Sequence, residues 1–196
     1  MKFAPLPAAC AIALAASGAA HAAGFDFNST PTGTYSSLTD GTATITYTGG
    51  TGLFQVVSWS PGWPLDGNNI TAYYDNPGAA PFKVTFAGGA SMFKIGVGDY
   101  NADEDHTHLR AWSASDVLLA SADYDNPDWK YGGDFMTVSS ATPIAYVTFW
   151  DGEPYAGAVA WDNISYTPAV PEPATVALMG LGLAAVGAMA RRRRQA

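Results

Sequence analysis

Between Ala23 and Ala169 the chain alternates apolar and polar residues in short runs, separated by clusters of Gly, Pro, Asn and Asp. The runs fall at 24–28, 42–48, 53–59, 82–87, 92–97, 108–113, 117–122, 135–139, 144–150 and 158–166. A period of two, with β-branched and aromatic residues enriched, predicts strands, and no long window carries the 3.6-residue period of a helix. Turns are expected at Gly49-Gly50, Asp66-Gly67-Asn68, Gly88-Gly89 and Gly132-Gly133. The fold class that follows is all-β: an antiparallel β-sandwich of jelly-roll type over residues 23–168. In the run 144–150, Ile144, Tyr146, Thr148 and Trp150 would share one face and Ala145, Val147 and Phe149 the other, both apolar enough for a central strand. Trp161, Ile164 and Tyr166 are expected in the core. The tetrapeptide Tyr-Asp-Asn-Pro occurs at 74–77 and again at 124–127, where Asn-Pro predicts two similar loops.

The two ends break this pattern. Lys2 is followed by an apolar stretch from Phe3 to Ala16, too short to span a bilayer, and then by Ala20-His21-Ala22. That order is a signal peptide over residues 1–22, with Ala20 and Ala22 as the small residues that signal peptidase reads and cleavage after Ala22. The single cysteine, Cys10, lies in this leader, so the exported part forms no disulfide and rests on its own core or on a bound ion.

Charge sharpens the picture. Between the leader and the terminal arginines, four basic residues (Lys83, Lys94, Arg110, Lys130) stand against 17 acidic ones. Such a surface repels phosphate backbones, so nucleic acid is excluded as a partner, while cations and neutral sugars remain.

At the other end, residues 174–190 carry no charge and as a helix reach roughly 25 Å, the short limit of a transmembrane helix. Arg191, Arg192, Arg193 and Arg194 follow and would stop transfer on the cytoplasmic side, leaving the acidic domain outside. Val170-Pro171-Glu172-Pro173, the short apolar segment and the four arginines together resemble the PEP-CTERM protein-sorting signal of Gram-negative bacteria, a tail also described as the ice-binding protein C-terminal domain. The resemblance implies a sorting segment over residues 169–196, a transient stay in the inner membrane, cleavage by an exosortase near the Pro-Glu-Pro motif, and delivery to the cell surface or an exopolysaccharide matrix of the kind found in biofilms. The run "AVAWDNISYTP" is similar to the closing strand of lectin-like and carbohydrate-binding jelly rolls.

Candidate chemistry is sparse. Asp99, Asn101, Asp103 and Asp105 alternate like the first four ligand positions of a calcium loop, but Glu104 replaces the expected glycine and Arg110 the closing glutamate. Calcium and a solvated acidic loop are both open, with Glu104 or Asp116 able to complete a non-standard site. His106 and His108 share a strand face and could take zinc with Asp105. No Gly-x-Ser-x-Gly is present, the exported part lacks cysteine, and no carboxylate pair stands out for glycoside cleavage. Trp59, Trp63, Trp129 and Tyr131 lie in or beside loops rich in Asp, Asn and Lys, where flat rings suit the faces of a sugar or plug the ends of the sandwich. The expectation is a non-enzymatic exported protein that grips polysaccharide. A small secreted carbohydrate-active hydrolase is one alternative. An ice- or surface-adhesion module is another, its only support being the threonine ladder 42, 44, 46 and 48.

Overall fold

The computed structural model describes residues 23–59, 64–72, 80–99, 104–126, 132–152 and 159–169, together with 180–182, 184–186 and 191 in the tail. The described residues form eleven strands: β1 (Ala23–Phe25), β2 (Gly33–Tyr35), β3 (Ser37–Asp40), β4 (Ala43–Tyr47), β5 (Phe54–Val57), β6 (Asn69–Thr71), β7 (Phe82–Asp99), β8 (Asp105–Trp112), β9 (Leu118–Asn126), β10 (Gly132–Asp151) and β11 (Val159–Pro168). All pairings are antiparallel.

Two long strands tie the layers together. The first half of β7 pairs with β4 on one side and with residues 146–149 of β10 on the other, and β10 continues to β8 and β9. The second half of β7 pairs with residues 132–139 of β10 and with β11, from which β6, β5 and β2 extend. Both strands change layer midway. In β7 the corner is Gly88-Gly89, at φ of 89° and 83°, a conformation that costs glycine little and other residues much. In β10 the corner is a register shift between Ser139 and Ile144.

Aromatic contacts show that the layers face each other. Phe149 of the first layer stacks on Phe82 at 5.3 Å and meets Trp161 of the second at 4.8 Å, while Phe86 contacts Phe93 at 6.0 Å and Tyr166 at 5.2 Å. These rings, with Ile45, Val84, Ile95, Leu109, Val147 and Ile144, form one buried core. The Tyr166 hydroxyl, at the far end of β11, donates to the Asp40 carbonyl at 3.1 Å and accepts the Thr42 amide at 3.2 Å, locking the β3–β4 hairpin onto the opposite layer.

The β-sandwich expected from the alternation is the fold present, with four corrections of detail. The runs 82–87 and 92–97 are one strand, and so are 135–139 and 144–150. Gly132-Gly133 is not a turn: it lies in the β7–β10 ladder, where a Cβ on Gly133 would sit 1.6 Å from the Val97 carbonyl oxygen. Glycine here permits close backbone approach, which a turn reading cannot distinguish. Three short strands, β2, β3 and β6, carry too few residues for alternation to show. Tyr124, Asp125 and Asn126 lie within β9 rather than in a loop; the other copy of the tetrapeptide is outside the described residues.

Two irregularities move side chains across the pleat. Ile144 is buried although it has the parity of Tyr146, because the register slips between them. In β11 a second shift falls between Asp162 and Ser165, around Asn163 at φ 49°. It lets Trp161, Ile164 and Tyr166 all point inward as expected; Asp162, on the opposite face with Gly96, is buried beneath the loop that carries Asp66.

The leader, including Cys10, Ala20 and Ala22, lies outside the described residues, as do Val170, Pro171, Glu172, Pro173 and Arg192, Arg193 and Arg194. Of the expected helix 174–190, residues 180–182 and 184–186 are described; they are helical and exposed, as is Arg191. Among the described residues no helix is long and apolar enough to cross a membrane.

Candidate functional site

Alternation along β8 and β10 sends Leu109, Ala111, Val147 and Phe149 into the core and leaves the intervening side chains on the outer face of the first layer. Pairing then sets Tyr146 beside Trp112, Thr148 beside Arg110, and Trp150 beside His108. The result is a strip of half-buried aromatic and polar groups crossing the middle of the sheet. Tyr146 and Trp112 stack at 6.1 Å, and the Trp112 indole N–H donates to the Thr148 hydroxyl at 3.0 Å. Lys83 of β7 places its ammonium 3.9 Å from the centre of the Tyr146 ring. The Tyr146 hydroxyl donates to Asp116 at 2.8 Å; burial and that carboxylate hold the phenol above its ordinary pKa.

The other end of the strip is charged. His108 contacts Asp123 at 2.6 Å and Trp150 at 5.0 Å, while Arg110 donates to Asp123 at 2.7 Å and to the Leu109 and Ala122 carbonyls. Partial burial pushes the Asp123 carboxyl up, but hydrogen bonds from His108 and Arg110 outweigh it and hold the group below its ordinary value. One step further along, His106 bonds Asp125 at 3.0 Å and lies 3.4 Å from Glu104. The hydrogen bond to Asp125 and the surrounding carboxylates raise His106 against the smaller effect of desolvation. Every charged group of this strip has a protein partner that fixes it in place.

The sequence candidates distribute as follows. Asp99 and Asp105 are buried at the ends of β7 and β8, and Asp99 accepts from Asn126 at 3.5 Å; Asn101 and Asp103 lie outside the described residues. His106 and His108 share the outer face as expected, whereas the same alternation turns Asp105 inward, so the three do not converge on one ion. Among the described residues no three His, Cys, Asp or Glu side chains form a metal cage. Trp63, Trp129 and Tyr131 lie outside the described residues; Trp59 is half-buried, and its carbonyl accepts from the Asn69 amide. Of the threonine ladder, Thr42 bonds Tyr166, Thr44 bonds Thr39, Thr46 bonds the Lys83 carbonyl and Thr48 the Pro81 carbonyl, so each hydroxyl already has a partner within the protein.

Sequence reasoning missed Trp112, Trp150 and the Arg110–Asp123 pair as site residues. Their signal was present in the shared parity of Tyr146, Thr148 and Trp150; what was lacking was the pairing that brings β8 alongside.

Solved structures to which the chain shows some similarity include the enzymatically active domain of bacteriophage CBA120 tailspike protein 4 (15% identity, 64% of this chain and 19% of that one, TM-score 0.40). Others are the arabinose-bound α-L-arabinofuranosidase MgGH51 (10% identity, 74% and 26%, TM-score 0.46) and the family 11 carbohydrate-binding module of Clostridium thermocellum Lic26A-Cel5E (15% identity, 74% and 92%, TM-score 0.36). The chain spans about a fifth to a quarter of the first two. No curated protein matches the chain by sequence. One segment is matched by a family model: residues 169–194 carry the PEP-CTERM protein-sorting motif, the mark of exosortase-sorted export.

Proposed function

We propose that the exported domain is a non-catalytic polysaccharide-binding module, brought to the cell surface or its exopolysaccharide matrix after signal peptidase and exosortase have removed the two ends. The observation that carries this reading is the outer strip of β8 and β10, where Trp112, Tyr146 and Trp150 stand among Arg110, His108 and Thr148. From Tyr146 to Trp150 the strand advances roughly 13 Å, long enough to lie along a short stretch of oligosaccharide. Sugars present apolar C–H faces together with a rim of hydroxyls, and half-buried rings flanked by fixed hydrogen-bonding groups match both. The ring partners reduce the conformational freedom lost on binding.

The carboxylates of this face support binding over hydrolysis. Asp116 is engaged by Tyr146, Asp123 by His108 and Arg110, and Asp125 by His106. Glycoside cleavage needs a raised general acid facing a second carboxyl across the substrate, and Asp123 is instead held low.

Affinity electrophoresis or microarray binding against neutral polysaccharides tests the reading. Retention by the wild-type chain without release of reducing sugar, lost in Trp150→Ala, is the expected result. Binding that is unchanged in Trp150→Ala and in Trp112→Ala would reject the strip as the binding face.

A further inference from the structure

At the opposite layer three segments meet: the turn after β1, the loop before β6, and the bulge of β11. Phe27 at φ 53° closes the turn, with the Asn28 amide bonded to the Asp26 carbonyl at 2.7 Å and to its carboxylate at 3.2 Å. Asn28 Oδ1 accepts the Asn68 amide at 2.9 Å, and Asn68 Nδ2 donates to the Thr30 carbonyl at 2.9 Å. Asn163 Nδ2 donates to the Pro64 carbonyl at 2.7 Å and to Asp66 at 3.1 Å. Every group in this stitching is an oxygen acceptor or a neutral amide.

Asp162 lies at the centre and is fully buried. Its Oδ2 accepts the Asp66 amide at 3.3 Å, and the Asn163 amide also bonds the carboxyl; both contacts favour the ionised form. Its Oδ1 is buried and, among the described residues, has no hydrogen-bond partner. Ionised, Oδ1 finds no donor among the described residues. Among the described residues no cationic side chain forms an ion pair with Asp162. The nearest one along the β11 pairing, Lys94, sits opposite Ser165 and rests its ammonium 3.7 Å from the centre of the Phe135 ring. Meanwhile Asp66 and Asp26 add negative potential at the carboxyl. A buried carboxylate with one empty acceptor, under the negative potential of Asp66 and Asp26, lacks positive charge.

We infer that the junction of Asp162, Asp66 and the Asp26–Asn28 turn binds a hard divalent cation, calcium by its oxygen-only donors, with Asp162 Oδ1 as the anchoring ligand. Among the described residues no three carboxylates form a cage, so amide and backbone oxygens and water would complete the shell, as calcium accepts. Open clefts of about 520 and 510 Å³ flank Asn163, one lined by Asp26, Thr30 and Asp40, the other by Asp66 and Lys94. Gly96 opposite Asp162 lets the bulge close down, since a Cβ there would stand 3.1 Å from the Asp162 carbonyl. The ion would clamp the first and last strands of the domain to the loop between them. It binds at a different place from the acidic stretch 99–105.

Thermal unfolding of the full chain at pH 8, titrated with calcium chloride after chelation, tests this. In a hundredfold excess over the dissociation constant, calcium should raise the wild-type midpoint by about 5 °C or more. Asp162→Asn should show no such rise, and in chelator it should melt no lower than wild type, because the substitution removes an unneutralised buried charge. Asp66→Asn and Asp26→Asn, both at exposed positions, keep the buried carboxyl and should weaken the calcium response without abolishing the fold. Terbium luminescence excited through tryptophan should follow the same order. A wild-type midpoint indifferent to calcium, magnesium and chelator would assign Oδ1 to a water molecule and overturn the proposal. So would a calcium shift that survives in Asp162→Asn and disappears in Asp99→Asn/Asp105→Asn.

Discussion

The outer strip of β8–β10 and the Asp162 junction hold charge in opposite ways. On the strip, Asp123 faces Arg110 and His108 within hydrogen-bond distance, and both partners keep contact with water. At the junction, Asp162 is sealed from solvent and its neighbours are other carboxylates and amides. The first arrangement is self-sufficient and adds little to stability, as exposed ion pairs do. The second leaves an electrostatic debt in the bare protein. The difference teaches that the dense acidic stretch of the sequence need not be where charge matters most; one aspartate buried under a loop outweighs several on a surface.

The largest effect that sharpens this contrast is a pH dependence. Burial raises Asp162 from 3.8 to about 7, against the backbone bonds from Asn163 and Asp66. The folded carboxyl therefore keeps its proton where the unfolded one has lost it. Its contribution to stability is fully present below about pH 4 and is lost as pH rises toward 7, a change of about 4 kcal/mol at roughly 1.4 kcal/mol per unit. Denaturant unfolding in chelator should show that decline, Asp162→Asn should lack it, and saturating calcium should suppress it in wild type. Next in size is the loss of glycan retention in Trp150→Ala, expected to be tenfold or more with the melting midpoint little changed, since the ring is only half-buried. Smaller again is Arg110→Ala: it removes one exposed partner of Asp123 and should cost about 0.5–1 kcal/mol in denaturant unfolding. Smallest is Asp125→Asn, which should lower the His106 titration midpoint measured by NMR. His106 is raised in the folded state, so its contribution is present at acid pH and fades as pH climbs through that midpoint.

The sandwich was legible because alternation survives wherever a strand is half-buried, as in β8, whose burial pattern is strictly alternate. It was less legible where the backbone departs from the pleat. Gly88-Gly89 reads as a reversal in sequence, yet it is a corner within one strand, because φ requirements are the same for both. Ile144 changed sides at one bulge and the alternation of β11 broke after Asp162 at another, and no composition rule marks either. The candidate site was half visible: Tyr146 and Trp150 share a face on parity alone, whereas Trp112, Arg110 and His108 join them only through a register set by long-range pairing. Acidic density drew calcium to 99–105, while the buried carboxyl with an open valence sits in a run of mostly apolar residues, where a lone Asp gives no signal.

The two strands that cross between layers, β7 and β10, carry one further implication. Since each is a single covalent thread woven through both halves, neither half can peel away without tearing out the middle of the other. A protein placed on the outside of a cell meets shear and proteases, and hinged halves that open separately would offer both a foothold. This weave makes loosening all-or-none.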